Sequence, residues 1–106
     1  LAHRSSRRVF SAQTAEKLQE LLAGVVAEGT GRQAAPSEGT AAGKTGTAQT
    51  GQFRDGEELK NHWFAGFYPA EKPRWTIVVM QDAQTEPEVS SAAVFARLCD
   101  ALSAGE

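Results

Sequence analysis

The sequence predicts an α+β fold: a three-stranded antiparallel meander with an N-terminal and a C-terminal helix packed on one face of it. Three observations carry the prediction. An apolar stripe at helical spacing runs through residues 11 to 29. Three short segments of strand character follow it, separated by turn residues. A second helical pattern with a capping signal closes the chain. Two amphipathic helices on one side of such a sheet would bury both stripes in a single core.

In residues 11 to 29, SAQTAEKLQELLAGVVAEG, Leu18, Leu21, Leu22, Val25 and Val26 recur at i, i+3, i+4, i+7 and i+8, which is one face of a 3.6-residue period. Ser11 is placed to cap the helix and Gly29 to end it. Residues 29 to 43 are rich in glycine, alanine and small polar residues without any period, and read as a loop.

The first strand is expected at about residues 43 to 50 and the second at 61 to 68, NHWFAGFY, where Trp63, Ala65 and Phe67 alternate with Phe64, Gly66 and Tyr68. The third, RWTIVVMQ at 74 to 81, is a continuous apolar run of the kind buried on both faces. Asp55-Gly56 marks the first connection, and Pro69 and Pro73 flank the second. Connections this short favour antiparallel neighbours. In the tail, Thr85 followed by Glu88 fits a capping box, and Val89, Ala93, Ala96, Leu98, Cys99 and Leu102 form the packing stripe.

Composition narrows the function classes. A chain of 106 residues suits one small domain or part of one, so residues 1 to 106 are read as a single unit. A formal net charge of −2 gives no electrostatic footprint for nucleic acid. The single cysteine, Cys99, cannot form an intrachain disulfide and reads as a packed thiol in the last helix. No metal ligand set is apparent, and neither a metal nor a cofactor is expected. No stretch approaches the ~20 apolar residues of a membrane span. The chain begins at Leu1 rather than at methionine, which suggests a piece of something longer.

The segment that carries chemistry is EGTAAGKTGTAQTG, residues 38 to 51. It superficially matches a phosphate-binding loop. That loop, however, needs four residues between its glycines and a helix to follow. Here only three residues separate Gly39 from Gly43, and TGTAQTGQF follows Lys44. On a strand, Lys44, Gly46 and Ala48 fall on one face and Thr45 and Thr47 on the other. Such a strand offers a fixed positive charge, a hydroxyl that can bind a carboxylate, and a glycine that lets a ligand approach the backbone. A backbone N–H beyond it can point at a developing oxyanion.

AAGKTGTAQ, followed by HWFAGFYPA and WTIVVM and preceded by TAEKLQELLAGVVAEGTG, resembles the C-terminal part of the penicillin-binding protein transpeptidase domain. That family belongs with the serine D,D-transpeptidases and β-lactamases. The resemblance spans about residues 10 to 102. It implies a partial transpeptidase-like fold and acyl transfer from D-Ala-D-Ala stem peptides, or from β-lactams that mimic them. It implies that Lys44 supplies electrostatics and proton positioning, that Thr45 binds the terminal carboxylate and that Gly46 allows close approach. It also implies that the N–H of Thr47 donates to the oxyanion.

The family's other two motifs, S-x-x-K and Ser-x-Asn, do not occur: no serine has a lysine three residues on, and the only asparagine is Asn61. The chain is therefore expected to be the C-terminal segment of a transpeptidase domain and inactive by itself, the full protein acting on the extracytoplasmic face of the bacterial membrane. A non-catalytic penicillin-sensing or binding module of the same fold is the alternative. His62, beside the turn, reads as a surface or satisfied histidine. Residues 75 to 81, the strand that the family's first strand would pair with, are expected to drive self-association.

Overall fold

The computed structural model describes residues 5–105. The chain runs α1 (Ala12–Glu28), a 3-10 turn (Arg32–Ala34), β1 (Ala42–Arg54), β2 (Glu57–Tyr68), β3 (Trp75–Ala83) and α2 (Ser91–Ala104). The strands form one antiparallel sheet in the order β1-β2-β3, the expected meander.

Local chemistry sets the boundaries. The Ser11 hydroxyl accepts from the N–H of Thr14 at 3.1 Å and caps α1. The Gly29 N–H closes the other end on the Val25 carbonyl. β1 and β2 reach further than the expected 43–50 and 61–68, because Asp55 and Gly56 both take positive φ, 54° and 81°. This is the geometry of a two-residue hairpin turn whose twist matches the strands. The arms therefore zip down to Arg54 opposite Glu57, with an irregularity between Gln49 and Phe53.

α2 begins later than the capping box at Thr85 suggests. Ser90 is the cap, its Oγ accepting the Ala93 N–H at 3.0 Å. Residues 84–90, Pro87 among them, form the connection instead. The consequence is a rotated packing stripe. Val89 and Leu98 are exposed, and the buried face is Ala92, Phe95, Ala96 and Cys99.

α1 lies along β1 and the 3-10 turn, whereas α2 packs on β2, β3 and the same turn. Both helices feed one core made of Val26, Ala34, Ala41, Phe64, Tyr68, Val79, Ala92, Phe95 and Cys99. Its centre is Phe64 against Phe95, ring centroids 4.7 Å apart and tilted by 54°, an arrangement that aromatic quadrupoles favour. Only the end of the α1 stripe is used: Val26 is buried, while Leu18 and Leu21 face out.

The sheet has two unequal faces. On β2 the residues His62, Phe64, Gly66 and Tyr68 are buried beneath α2. On the opposite face Trp63 is 37% exposed, Val78 57% and Met80 46%. The run WTIVVM is thus covered on one face only, and Trp63 of β2 lies on the uncovered face. The reason is that α2 supplies cover to one side of β2 and β3, and the strand period sends alternate residues to the other.

Candidate active site on the edge strand

Lys44, Thr45, Gly46 and Thr47 all lie on β1, opposite Ala65, Phe64, Trp63 and His62 of β2. The pairing splits them between the two faces. Lys44 and Gly46 are exposed on the side of Ala65 and Trp63. Thr45, half-buried, and Thr47, exposed, lie on the side of Phe64 and His62. Lys44 is part of a strand and not of a helix start, which removes the phosphate-loop reading.

β1 pairs with β2 alone among the described residues. One edge of it is therefore open, and alternate N–H and C=O groups along that edge face outward. The Lys44 Nζ donates to the Thr45 carbonyl at 3.3 Å and lies 3.5 Å from the Thr45 hydroxyl. The ammonium and the threonine hydroxyl thus sit together on the rim.

The glycines of this strand differ in their surroundings. A Cβ at Gly43 would lie 2.6 Å from the Phe64 ring and from the Ala65 carbonyl. A Cβ at Gly46 would meet nothing closer than the Trp63 Cβ at 4.0 Å. Packing inside the chain therefore requires a glycine at 43 and leaves room at 46.

Beside the two threonines lies a small cavity of about 110 Å³, to which Gln33, His62, Glu86 and Ser90 also contribute. A larger hollow of about 340 Å³ lies between α1 and the turn after β2, lined by Glu16, Glu20 and Glu71 among others. None of the four motif residues lines it. Glu71 there is held below the usual carboxylate range by a hydrogen bond from the Thr40 hydroxyl.

His62 is buried and satisfied rather than superficial. Its Nε2 lies 3.1 Å from the Ala83 carbonyl and its Nδ1 3.9 Å from Glu86 Oε2. The alternation of NHWFAGFY assigned it to the face of Phe64 and Tyr68, but nothing in the sequence announced that this face is the covered one or that Glu86 would reach it. Among the described residues no group of three or more His, Cys, Asp and Glu side chains is arranged to hold a metal ion.

A family model, the penicillin-binding protein transpeptidase domain, matches residues 2–100. The chain belongs to that family. It is 40% identical over 81 residues to the stage V sporulation protein D of Bacillus subtilis, a match that takes in 74% of this chain and 12% of that protein. Among solved structures, a D,D-transpeptidase domain of a peptidoglycan glycosyltransferase from Eggerthella lenta superposes with a TM-score of 0.65 at 36% identity, over 90% of this chain and 21% of the other. The transpeptidase domain of FtsI4 from Legionella pneumophila gives 0.67 at 28% identity, over 87% and 36%. The chain spans about an eighth of the length of the curated relatives it matches. Among the described residues of this transpeptidase-family chain, no helix is long and apolar enough to cross a membrane.

Proposed function

We propose that this chain is one part of a D,D-transpeptidase that cross-links peptidoglycan stem peptides by acyl transfer through a serine, and that also binds β-lactams. The observation that carries the reading is the placement of Lys-Thr-Gly-Thr on an open edge strand, in a chain of the transpeptidase family. The serine nucleophile and its lysine come from outside this sequence, which holds no S-x-x-K.

The roles follow from the chemistry each group offers. Thr45 holds the substrate's terminal carboxylate through its hydroxyl. Lys44 supplies a positive field beside it and helps to position protons at the serine. The open space at Gly46 admits a peptide or a β-lactam ring against the backbone. The N–H of Thr47 donates to the oxygen that becomes negative when the serine attacks the carbonyl, the point at which a fixed donor lowers the barrier most. Collapse of that oxyanionic intermediate breaks the D-Ala-D-Ala peptide bond and releases the terminal D-alanine, and the acyl group then passes from the serine to an amine of a second stem peptide, freeing the serine. Acting on peptidoglycan, the protein works outside the cytoplasmic membrane.

The test is covalent labelling with a fluorescent penicillin, read as a band after denaturation. The longer protein containing this chain is expected to give one adduct per molecule, and the 106-residue chain none, because binding contacts do not replace an activated nucleophile. An adduct on a serine of the isolated chain, or no adduct on the longer protein, overturns the reading.

A further inference from the structure

We infer that the irregularity at residues 50–52 of β1 is a stop. It ends, at Gln49, the edge to which a stem peptide can pair, and so limits what the strand reads to the last four residues of that peptide. The inference rests on the reading above, in which Thr45 holds the terminal carboxylate and the Thr47 N–H the oxyanion. It adds to that reading the length of substrate recognised.

The direction of the ligand follows from those two contacts. The carboxylate belongs to the last residue of the stem and the attacked carbonyl to the one before it. From its C-terminus the stem therefore runs from Thr45 past Thr47 toward Gln49, antiparallel to β1. A peptide added to a sheet edge in this way is held by main-chain hydrogen bonds. Alternate residues of an antiparallel ladder turn their N–H and C=O to the same side. An outward N–H at Thr47 thus puts those of Thr45 and Gln49 on the open edge as well. The penultimate residue of the stem then stands at Thr47, and the residue two before it at Gln49.

The next donor in that series would be Gly51, and it is turned away. Gln49 stands opposite Lys60 and Phe53 opposite Glu58, so Thr50, Gly51 and Gln52 share Leu59 as their one counterpart. Gly51 takes φ 75°, and its N–H donates at 2.9 Å to Oε2 of Glu58, on β2. The Gln52 N–H donates to the Thr50 hydroxyl at 3.1 Å, and that hydroxyl donates to the Leu59 carbonyl. Both N–H groups are thus taken up within the hairpin. Nor is the hairpin free to straighten. Gln84 Nε2 donates to the carbonyls of Arg54 at 2.6 Å and Glu57 at 3.1 Å, and pins the turn end. Bulges beside active sites commonly terminate pairing in this way. The edge left for a ligand, from Thr45 to Gln49, is about 14 Å long, at ~3.4 Å per residue.

The test uses the longer protein and a series of penicillins. The penicillin nucleus stands in for the last two residues of the stem. Its amino group carries an acetyl group, directly or through one, two, three or four alanine residues. The second-order rate of acylation is read by competition with a fluorescent penicillin. It is expected to rise by about three- to tenfold through the second alanine, the worth of an ordinary net hydrogen bond, and to stay level at the third and fourth. Gln49→Pro removes the last outward N–H at a position where an edge strand tolerates proline, and is expected to reduce the gain from the first two alanines. Removal of Gly51 and Gln52 leaves Thr50 alone opposite Leu59, and is expected to let the third and fourth alanines raise the rate too. A wild-type rate that keeps rising past the second alanine, or never rises, overturns the inference. So does a Gln49→Pro profile that superimposes on the wild type, or a deletion variant that levels off where the wild type does. If circular dichroism shows that the deletion variant does not fold, the other two profiles each decide. A longer protein that no member of the series acylates refutes the transpeptidase reading, and this inference falls with it.

Discussion

Gly43 and Gly66 stand opposite each other across β1 and β2, and the two aromatic rings at the centre of the core occupy the space their side chains would fill. A Cβ at Gly43 would lie 2.6 Å from the Phe64 ring, and one at Gly66 would lie 2.9 Å from Phe95 and 2.4 Å from the Ala42 carbonyl. Backbone oxygens cannot step aside as a flexible side chain can. Gly66→Ala and Gly43→Ala are each expected to destabilise the chain by about 1–3 kcal/mol, the usual cost of overpacking a filled interior. Urea unfolding followed by circular dichroism checks it, and a midpoint unchanged in both variants contradicts the packing described.

The site residues respond differently. Gly46→Ala has room in this chain, so its unfolding midpoint is expected to stay near that of the wild type. Under the role proposed for Gly46, acylation of the longer protein by a penicillin is expected to fall, because the methyl group would occupy space that the proposal assigns to the ligand. Thr45→Val and Lys44→Ala are expected to slow acylation by about ten- to a hundredfold, since a hydrogen bond to a charged group is worth about 1.5–3 kcal/mol. Stopped-flow measurement of the acylation rate decides. Equal rates in all three variants would remove the roles given to this strand.

The fold was legible in the sequence wherever a period met a turn signal. Alternation in NHWFAGFY and the Asp55-Gly56 pair predict β2 and its hairpin, and the structure extends both arms to that turn. The stripe of α1 predicts the helix but not how little of it is buried, since Leu21 remains exposed. Burial depends on what lies opposite, which is a tertiary fact. The start of α2 illustrates a local competition: Thr85 and Ser90 both offer caps, and the one that also puts Phe95 over Phe64 prevails. Of the site, the run from Lys44 to Thr47 is contiguous and readable. His62, Glu86 and Ser91 are brought together only by pairing and by the return of α2, and no spacing in the chain signals them.

Cys99 gives a prediction in pH. It is fully buried, and burial, with a smaller contribution from the Asp100 carboxylate, pushes the thiol from an ordinary 9.0 up to about 11. Its thiolate is therefore disfavoured in the folded state, and between those two values the unfolded chain releases the proton first. Stability from this group is present in full below pH 9.0 and declines as the pH rises toward about 11. A thiol reagent at pH 8 is expected to label the unfolded chain promptly and the folded chain only as fast as it opens. Prompt labelling of the folded chain would show that Cys99 is not packed as described. Cys99→Ser is expected to flatten the alkaline decline.

β3 pairs with β2 alone among the described residues, so its outer edge presents unpaired N–H and C=O groups. Such an edge is a template for another strand. On the face away from α2, Val78 and Met80 add exposed apolar surface next to it, with Trp63 opposite Met80 on β2. The charges nearest the run are Arg74 and Asp82, at its two ends. A second copy can pair antiparallel about a two-fold axis, and in such a pairing each residue meets one of the same face, so both the buried and the open face continue across the junction. The chain is therefore expected to self-associate through residues 75 to 81. Val78→Lys places a charge on the open face, at a position exposed enough to cost the monomer little, and sets two like charges near each other in the pair. Light scattering over a concentration series should show mass rising with concentration for the wild-type chain and much less for the variant. A monomer at every concentration, unchanged by the substitution, would mean that the edge is covered by another part of the chain.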